Sequence, residues 1–204
     1  MSTVINYTAP KGAVLQHDFV VRVRACDQKE WQELSCYQIK VDMHEKRTAS
    51  MAYFDFSGEV DVEIICPALL FIYQVDVRPL SAGIIAEYDS KTIRLKLNRP
   101  LKLSIEVNKE RFHNLHLFAG AIQEEIPNPK SDMTLYLSGN ENGVSIHRTE
   151  EMIRRVEKMP AGRTIYFGPG LHYLEECVMR IPSDTNVYLA GGAILVGTFI
   201  VSHA

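Results

Sequence analysis

From Phe19 to about Ile122, apolar and polar residues alternate in a succession of short runs. Phe19, Val21 and Val23 share one side of such a run, followed by Ile39, Val41 and Met43, then Val60, Val62 and Ile64, then Phe71, Tyr73, Val75 and Val77. The two clearest runs set Ile93, Leu95 and Leu97 against Thr92, Arg94 and Lys96, and Leu101, Leu103, Ile105 and Val107 against Lys102, Ser104 and Glu106. Side chains alternate faces along a strand, so a period of two sends one set to a core and the other to water. Turn signals at Ser57-Gly58, Ser81-Ala82-Gly83 and Asn98-Arg99-Pro100 separate the runs. This half of the chain predicts an antiparallel β-sandwich of about seven strands or more.

The pattern then changes. Ile126 to Asp132 (IPNPKSD) contains two prolines, which cannot donate to a ladder, and reads as a linker. MTLYLS gives one more strand and Ser138 to Gly143 a turn. Thr149 is placed to cap a short helix over Glu150 to Met159, with Met152, Ile153, Val156 and Met159 on one face and Pro160 and Gly162 at its end. Beyond it, Thr164 to Leu174 (TIYFGPGLHYL) and Asn186 to Val196 (NVYLAGGAILV) are two versions of one pattern. Thr164 superimposes on Asn186, Ile165 on Val187, Tyr166 on Tyr188, Phe167 on Leu189 and Gly170 on Gly192. Strand, glycine corner and second strand, repeated at this spacing, predict coils of a parallel β-helix. One coil cannot bury its own apolar face and about three are needed for stability, so the chain reads as the front of something longer. The helix is suited to covering the open end of the first coil; the alternative is a surface helix packed on the sandwich.

Composition narrows the function classes. Net charge is -3, which argues against a nucleic-acid groove, since phosphate binding relies on clustered Lys and Arg. The N-terminus lacks a basic start and an apolar stretch, and no run reaches the roughly 20 residues of a membrane span, so a cytoplasmic location is expected; a leader already removed would leave no trace. Cys26, Cys36, Cys66 and Cys177 are scattered, without a C-x-x-C pair, and read as free thiols.

Residues that could carry chemistry are few. His113 and His116 are three apart, but on a strand they face opposite ways and would need His147 or His172 to complete a metal site, so none is expected. Glu87 and Glu106 read as isolated, solvated carboxylates. The glycines of GPG and AGG are followed by neither Gly-Lys-Ser/Thr nor a helix, so they read as coil corners rather than a phosphate loop. Trp31, Tyr37, Tyr53 and Tyr73 are either core aromatics or a stacking platform for sugar rings.

The ordered series VDVRPLSAGI (Val75 to Ile84), NRPLKLSIEVN (Asn98 to Asn108), LHLFA (Leu115 to Ala119), IYFGPGLHYL and VYLAGGAILVGTF (Val187 to Phe199) resembles the N-terminal part of enzymes related to glycoside hydrolase family 28, the polygalacturonase-type members of the pectin-lyase-like β-helix fold. The resemblance covers residues 70 to 204 well and the first 70 only as a generic sandwich. It implies a β-sandwich ahead of a right-handed parallel β-helix, and inverting hydrolysis of O-glycosidic bonds in a pectin-like polysaccharide. Inversion needs an acid and a base carboxylate about 6.5 to 9.5 Å apart. In the family these come from Asn-Thr-Asp, Asp-Asp and Gly-His-Gly motifs on later coils, with an Arg-x-Lys that holds the sugar. The first three are absent here; Ser183-Asp184-Thr185-Asn186 has the wrong order, and Arg180-Ile181-Pro182 lacks the lysine.

The expectation is therefore an all-β chain with a β-sandwich over 1–127, a linker, strand and capping helix over 128–163, and the start of a right-handed β-helix over 164–204. No catalytic residue, metal ligand or cofactor is assigned, and the substrate-binding residues are left open. The expected partner is a polysaccharide bound through the full-length protein, with neither nucleic acid nor membrane, and with self-association through the open helix end. The alternative is a non-catalytic carbohydrate-binding or assembly module.

Overall fold

The structure is a computed structural model and describes residues 1–42, 44–140 and 143–201. Its strands are β1 (Thr3–Asn6), β2 (Val20–Ala25), β3 (Gln32–Leu34), β4 (Tyr37–Lys40), β5 (Thr48–Ser57), β6 (Val60–Ile65), β7 (Val75–Arg78), β8 (Glu87–Tyr88), β9 (Thr92–Leu97), β10 (Leu101–Val107), β11 (Glu110–Ala121), β12 (Thr134–Leu137), β13 (Val144–His147), β14 (Arg163–Phe167), β15 (Gly170–Ile181), β16 (Thr185–Leu189) and β17 (Ala193–Val201). One α-helix, α1 (Thr149–Glu157), lies among the described residues. The chain is all-β and none of its sheets closes into a barrel. It divides into two compact units, residues 1–8 with 14–123, and residues 9–13 with 124–204.

The first unit has two sheets around one core. One runs β1-β5-β11-β10-β7 with β4 also on β5, and the other runs β3-β2-β6-β9-β8. Val21, Val23, Val62, Ile64, Ile93 and Leu97 from the five-stranded sheet meet Phe54, Phe56, Leu103, Ile105, Leu115 and Leu117 from the six-stranded one. These are the inward members of the alternating runs. The turn at Asn98-Arg99-Pro100 carries the chain from β9 in one sheet to β10 in the other.

Four expectations need correction in this unit. The sheets are not purely antiparallel: β11 pairs β5 in parallel, Leu115 opposite Ser50 through Ala121 opposite Phe56. Phe71 and Tyr73 belong to no strand and are exposed, because Asn108 clamps that segment from outside, accepting from the Tyr73 amide at 2.9 Å and donating to the Phe71 carbonyl at 2.9 Å. Glu106 is buried, its carboxylate taken up by Arg78 Nε at 2.9 Å. The expected strand through Ile39, Val41 and Met43 ends at Lys40, and Met43 lies outside the described residues. The turn at Ser138 to Gly143 is described only in part, Glu141 and Asn142 lying outside the described residues.

In the second unit two three-stranded parallel sheets grow side by side, β12-β14-β16 and β13-β15-β17. Thr164 lies opposite Asn186, Ile165 opposite Val187, Tyr166 opposite Tyr188 and Phe167 opposite Leu189, the pairing expected from the repeat. At the corner the register slips by one: Gly170 faces Ala193, not Gly192, because the second corner holds one more residue. The ladder also starts before Thr164. Thr134 faces Thr164 and Val144 faces Leu171, which makes a first rung of β12 and β13. Leu135, Leu137, Ile165, Phe167, Leu174, Met179 and Ile181 fill the space between the sheets, and α1 adds Met152 and Val156 to the same core.

Thr149 is the first residue of α1 rather than its cap. Arg148 holds the extended cap position without a side-chain bond to the helix, and both the Thr149 amide, at 3.2 Å, and its hydroxyl donate to the Glu176 carboxylate. A carboxylate from β15 thus satisfies the helix N-terminus, where negative charge is favoured. Arg163 ties successive turns together, donating to the Met159 carbonyl at 3.0 Å, the Ser183 carbonyl at 3.1 Å and Thr185 Oγ1 at 3.1 Å.

Candidate functional site

The repeat that builds the ladder also stacks its side chains. On the sheet face opposite the core, Tyr136, Tyr166 and Tyr188 occupy one register position in three rungs, with ring centroids 5.3 and 4.7 Å apart. In the other sheet, His147 and His172 stack with centroids 5.1 Å apart and Nε2 of the first 2.8 Å from Nδ1 of the second. His172 is fully buried and its Nε2 donates to the Gly168 carbonyl at 2.7 Å. That bond fixes the tautomer: Nδ1 of His172 accepts, and Nε2 of His147 donates to it. Burial pushes both imidazoles below their ordinary pKa, and for His147 the neighbouring ring adds to the effect.

The densest group of carboxylates in this unit lines a shallow cavity of about 330 Å³ formed by Arg148, Glu150, Glu151, Arg154, Glu175 and Glu176. Glu150 pairs with Arg154 at 3.2 Å and Glu175 with Arg148 at 3.4 Å. The Thr149 hydroxyl holds the Glu176 carboxyl below its ordinary pKa. A general acid needs the opposite shift. Glu176 is therefore not set up as a general acid.

The residues singled out from sequence fall in different places. His147 and His172 meet in the second unit, whereas His116 packs edge-on against Phe118 and His113 is exposed, both on β11 of the first. Among the described residues no three His, Cys, Asp or Glu side chains stand together as a metal site. The four cysteines are free thiols; burial lifts Cys36 and Cys66 to a pKa of about 11, so neither is a nucleophile at neutral pH.

The four aromatics do not form one platform. Tyr37 is buried and stacks on Tyr53, whose ring stacks in turn on Tyr7. Tyr73 donates its hydroxyl to the Asn108 carbonyl at 3.0 Å. Trp31 alone lines an open cavity, about 370 Å³ in volume, on the outer face of the five-stranded sheet. Glu87 lines the same cavity, as do Arg94 and Lys96. Arg94-Leu95-Lys96 spells an Arg-x-Lys, and it lies on β9 of the first unit, not on the ladder.

Neither a family model nor a curated protein sequence matches this chain. Among solved structures it is similar to Dex49A from Penicillium minioluteum, with a TM-score of 0.61 and 16% sequence identity over 95% of this chain. At that identity the likeness shows the fold. The chain spans 44% of the length of Dex49A. No described helix is long and apolar enough to cross a membrane.

Proposed function

We propose that this chain is the N-terminal part of a β-helix glycoside hydrolase acting on a polysaccharide, with a β-sandwich over the first unit and the opening coils of a right-handed parallel β-helix over the second. The observation that carries the reading is the three-rung parallel ladder, β12-β14-β16 beside β13-β15-β17, in a chain whose fold matches Dex49A along 95% of its length. Dex49A is a β-helix glycosidase. In this reading α1 closes the start of the coil, with Met152 and Val156 on apolar surface that the first rung would otherwise leave to water. The catalytic carboxylates belong to rungs further along. Glu175 pairs with Arg148 and Glu176 caps α1, which supports a scaffold role for this segment.

The finer version, a family 28 enzyme cutting a pectin-like chain, is supported by the order of the sequence motifs. Release of new reducing ends tests both levels. The 204-residue chain and the native gene product read onward in frame are assayed against polygalacturonan and against neutral α- and β-glucans. The proposal expects release by the longer product and none by the 204-residue chain. Polygalacturonan as substrate supports the finer version, and a neutral glucan limits the reading to a β-helix glycosidase. A folded longer product that cuts no glycan overturns it.

A further inference from the structure

The outer face of the five-stranded sheet carries a groove that the ladder does not explain. Its strands run β3-β2-β6-β9-β8, and Trp31 stands just before β3 at one edge while Ile85 stands just before β8 at the other. Both line the cavity, whose 370 Å³ lies in the lower part of the roughly 300 to 1,000 Å³ range of small-molecule sites. Between these two apolar walls, Arg24 faces Asp61 and Asp61 faces Lys96 across three strands, and Glu87 faces Arg94 at the far edge.

The charges are unequally committed. Arg24 donates through Nε at 3.2 Å and Nη2 at 3.1 Å to Asp61 Oδ2, and its guanidinium lies 4.5 Å from the centre of the Trp31 ring. The indole is thus set in place by a cation that is itself held by a carboxylate. Arg94 pairs with Asp89 at 3.0 Å and with Glu63 at 3.5 Å. Among the described residues, the side chains of Glu87 and Lys96 form neither a hydrogen bond nor an ion pair. One acceptor and one donor side chain therefore remain open, while Arg24 is held by Asp61 and Arg94 by Asp89 and Glu63. Ile85 is 85% exposed, an apolar side chain kept in water at the rim.

We infer that this groove binds a neutral oligosaccharide. A pyranose ring has an apolar C–H face and a rim of hydroxyls that both donate and accept. Trp31 and Ile85 meet the first requirement, and Lys96 and Glu87 meet the second. With one open charge of each sign, the groove has no surplus to reward a uronate or a phosphate. The site lies on the first unit and stands apart from the catalytic reading, since binding there requires no hydrolysis.

Trp31 is the chain's only tryptophan, so its fluorescence reports on the groove directly. The 204-residue chain is titrated with maltohexaose, isomaltohexaose, cellohexaose and hexagalacturonate. The proposal expects a saturable change with at least one neutral hexaose, and binding of hexagalacturonate at least about tenfold weaker. Glu87→Gln and Lys96→Met, both at exposed positions, each weaken the neutral ligand about tenfold, the worth of one charge-assisted hydrogen bond. Trp31→Ala, followed by ligand-observed NMR, abolishes binding. A folded chain whose fluorescence responds to no neutral hexaose, or to hexagalacturonate alone, overturns the proposal, as does unchanged affinity in both the Glu87 and Lys96 variants.

Discussion

His147 and His172 stand on neighbouring rungs, with Nε2 of the first 2.8 Å from Nδ1 of the second. The contact requires at least one of the two rings to be neutral, because two protonated imidazoles would set donor against donor. Burial lowers both pKa values from 6.5 in the folded chain, so the unfolded chain takes up protons there first. Their contribution is complete above about pH 6.5 and declines as pH falls below it toward the folded values. Urea denaturation between about pH 7.5 and pH 5 checks the sign and should show stability decreasing with acidity. His116, also lowered by burial, acts in the same window. A His147→Gln, His116→Gln double variant should show a clearly flatter profile, and an unchanged slope contradicts the assignment.

Gly139 and Gly170 meet at the same corner of successive coils. A Cβ on Gly170 would lie 2.5 Å from Gly139 Cα, and one on Gly139 would lie 2.6 Å from Gly170 Cα. Gly170 also has a φ of 136°. Backbone on both sides has no flexible end to swing aside. Gly170→Ala should therefore lose at least about 2 kcal/mol, from backbone strain and forced separation of the rungs together. Chemical denaturation measures it, with Gly83→Ala, whose Cβ meets nothing within 4 Å, as the control for a positive φ alone.

Asn108 and Lys109 form the two-residue turn between β10 and β11, with φ of 55° and 68°. Asn108 is suited to that conformation and its side chain holds residues 71–74. Lys109 is a long side chain in a left-handed position. Lys109→Gly should raise stability by about 1 kcal/mol, the typical cost of that conformation for a residue with a Cβ. Asn108→Gly should do the reverse, because the clamp is lost. Paired denaturation curves distinguish the two.

Glu106 and Arg78 form an ion pair in which the carboxylate side chain is 9% exposed and the guanidinium 40%. Removing the arginine strands a nearly buried charge, while water admitted from the arginine side softens the penalty. Arg78→Ala should lose about 2 to 3 kcal/mol, at or below the lower end for a broken buried pair. The Arg78→Met, Glu106→Leu double variant should recover most of that loss in a thermal melt.

Much of this fold was legible where one face is wet. The alternation in β2, β6, β9 and β10 marks strands with one buried and one exposed side, and the pairing of Tyr166 with Tyr188 follows from the repeat. Strand β5, the centre of its sheet, escaped the same reading. Ala49, Ser50 and Ala52 are buried in sequence, and Met51 and Tyr53 are half-buried, so neither face is polar and the period disappears. The first rung was concealed for another reason. Helix α1 sits between β13 and β14, so Thr134 pairs with Thr164 at a longer interval than Thr164 with Asn186, and a search at one spacing finds only the second. Glu106 looked solvated because its covering residue, Arg78, comes from another strand. Trp31 was singled out as an aromatic, but the partners that make its groove lie on β2, β6 and β9 and before β8, brought together only by sheet order.

The central claim, that this chain opens a β-helix glycosidase, is tested most directly by reading the native coding sequence past the codon for Ala204. The account predicts an in-frame continuation with further apolar rungs on the register of Ile165 and Val187, carrying clustered acidic residues such as the Asn-Thr-Asp and Asp-Asp motifs. A stop codon at that point, or a continuation without rungs or acidic clusters, contradicts it.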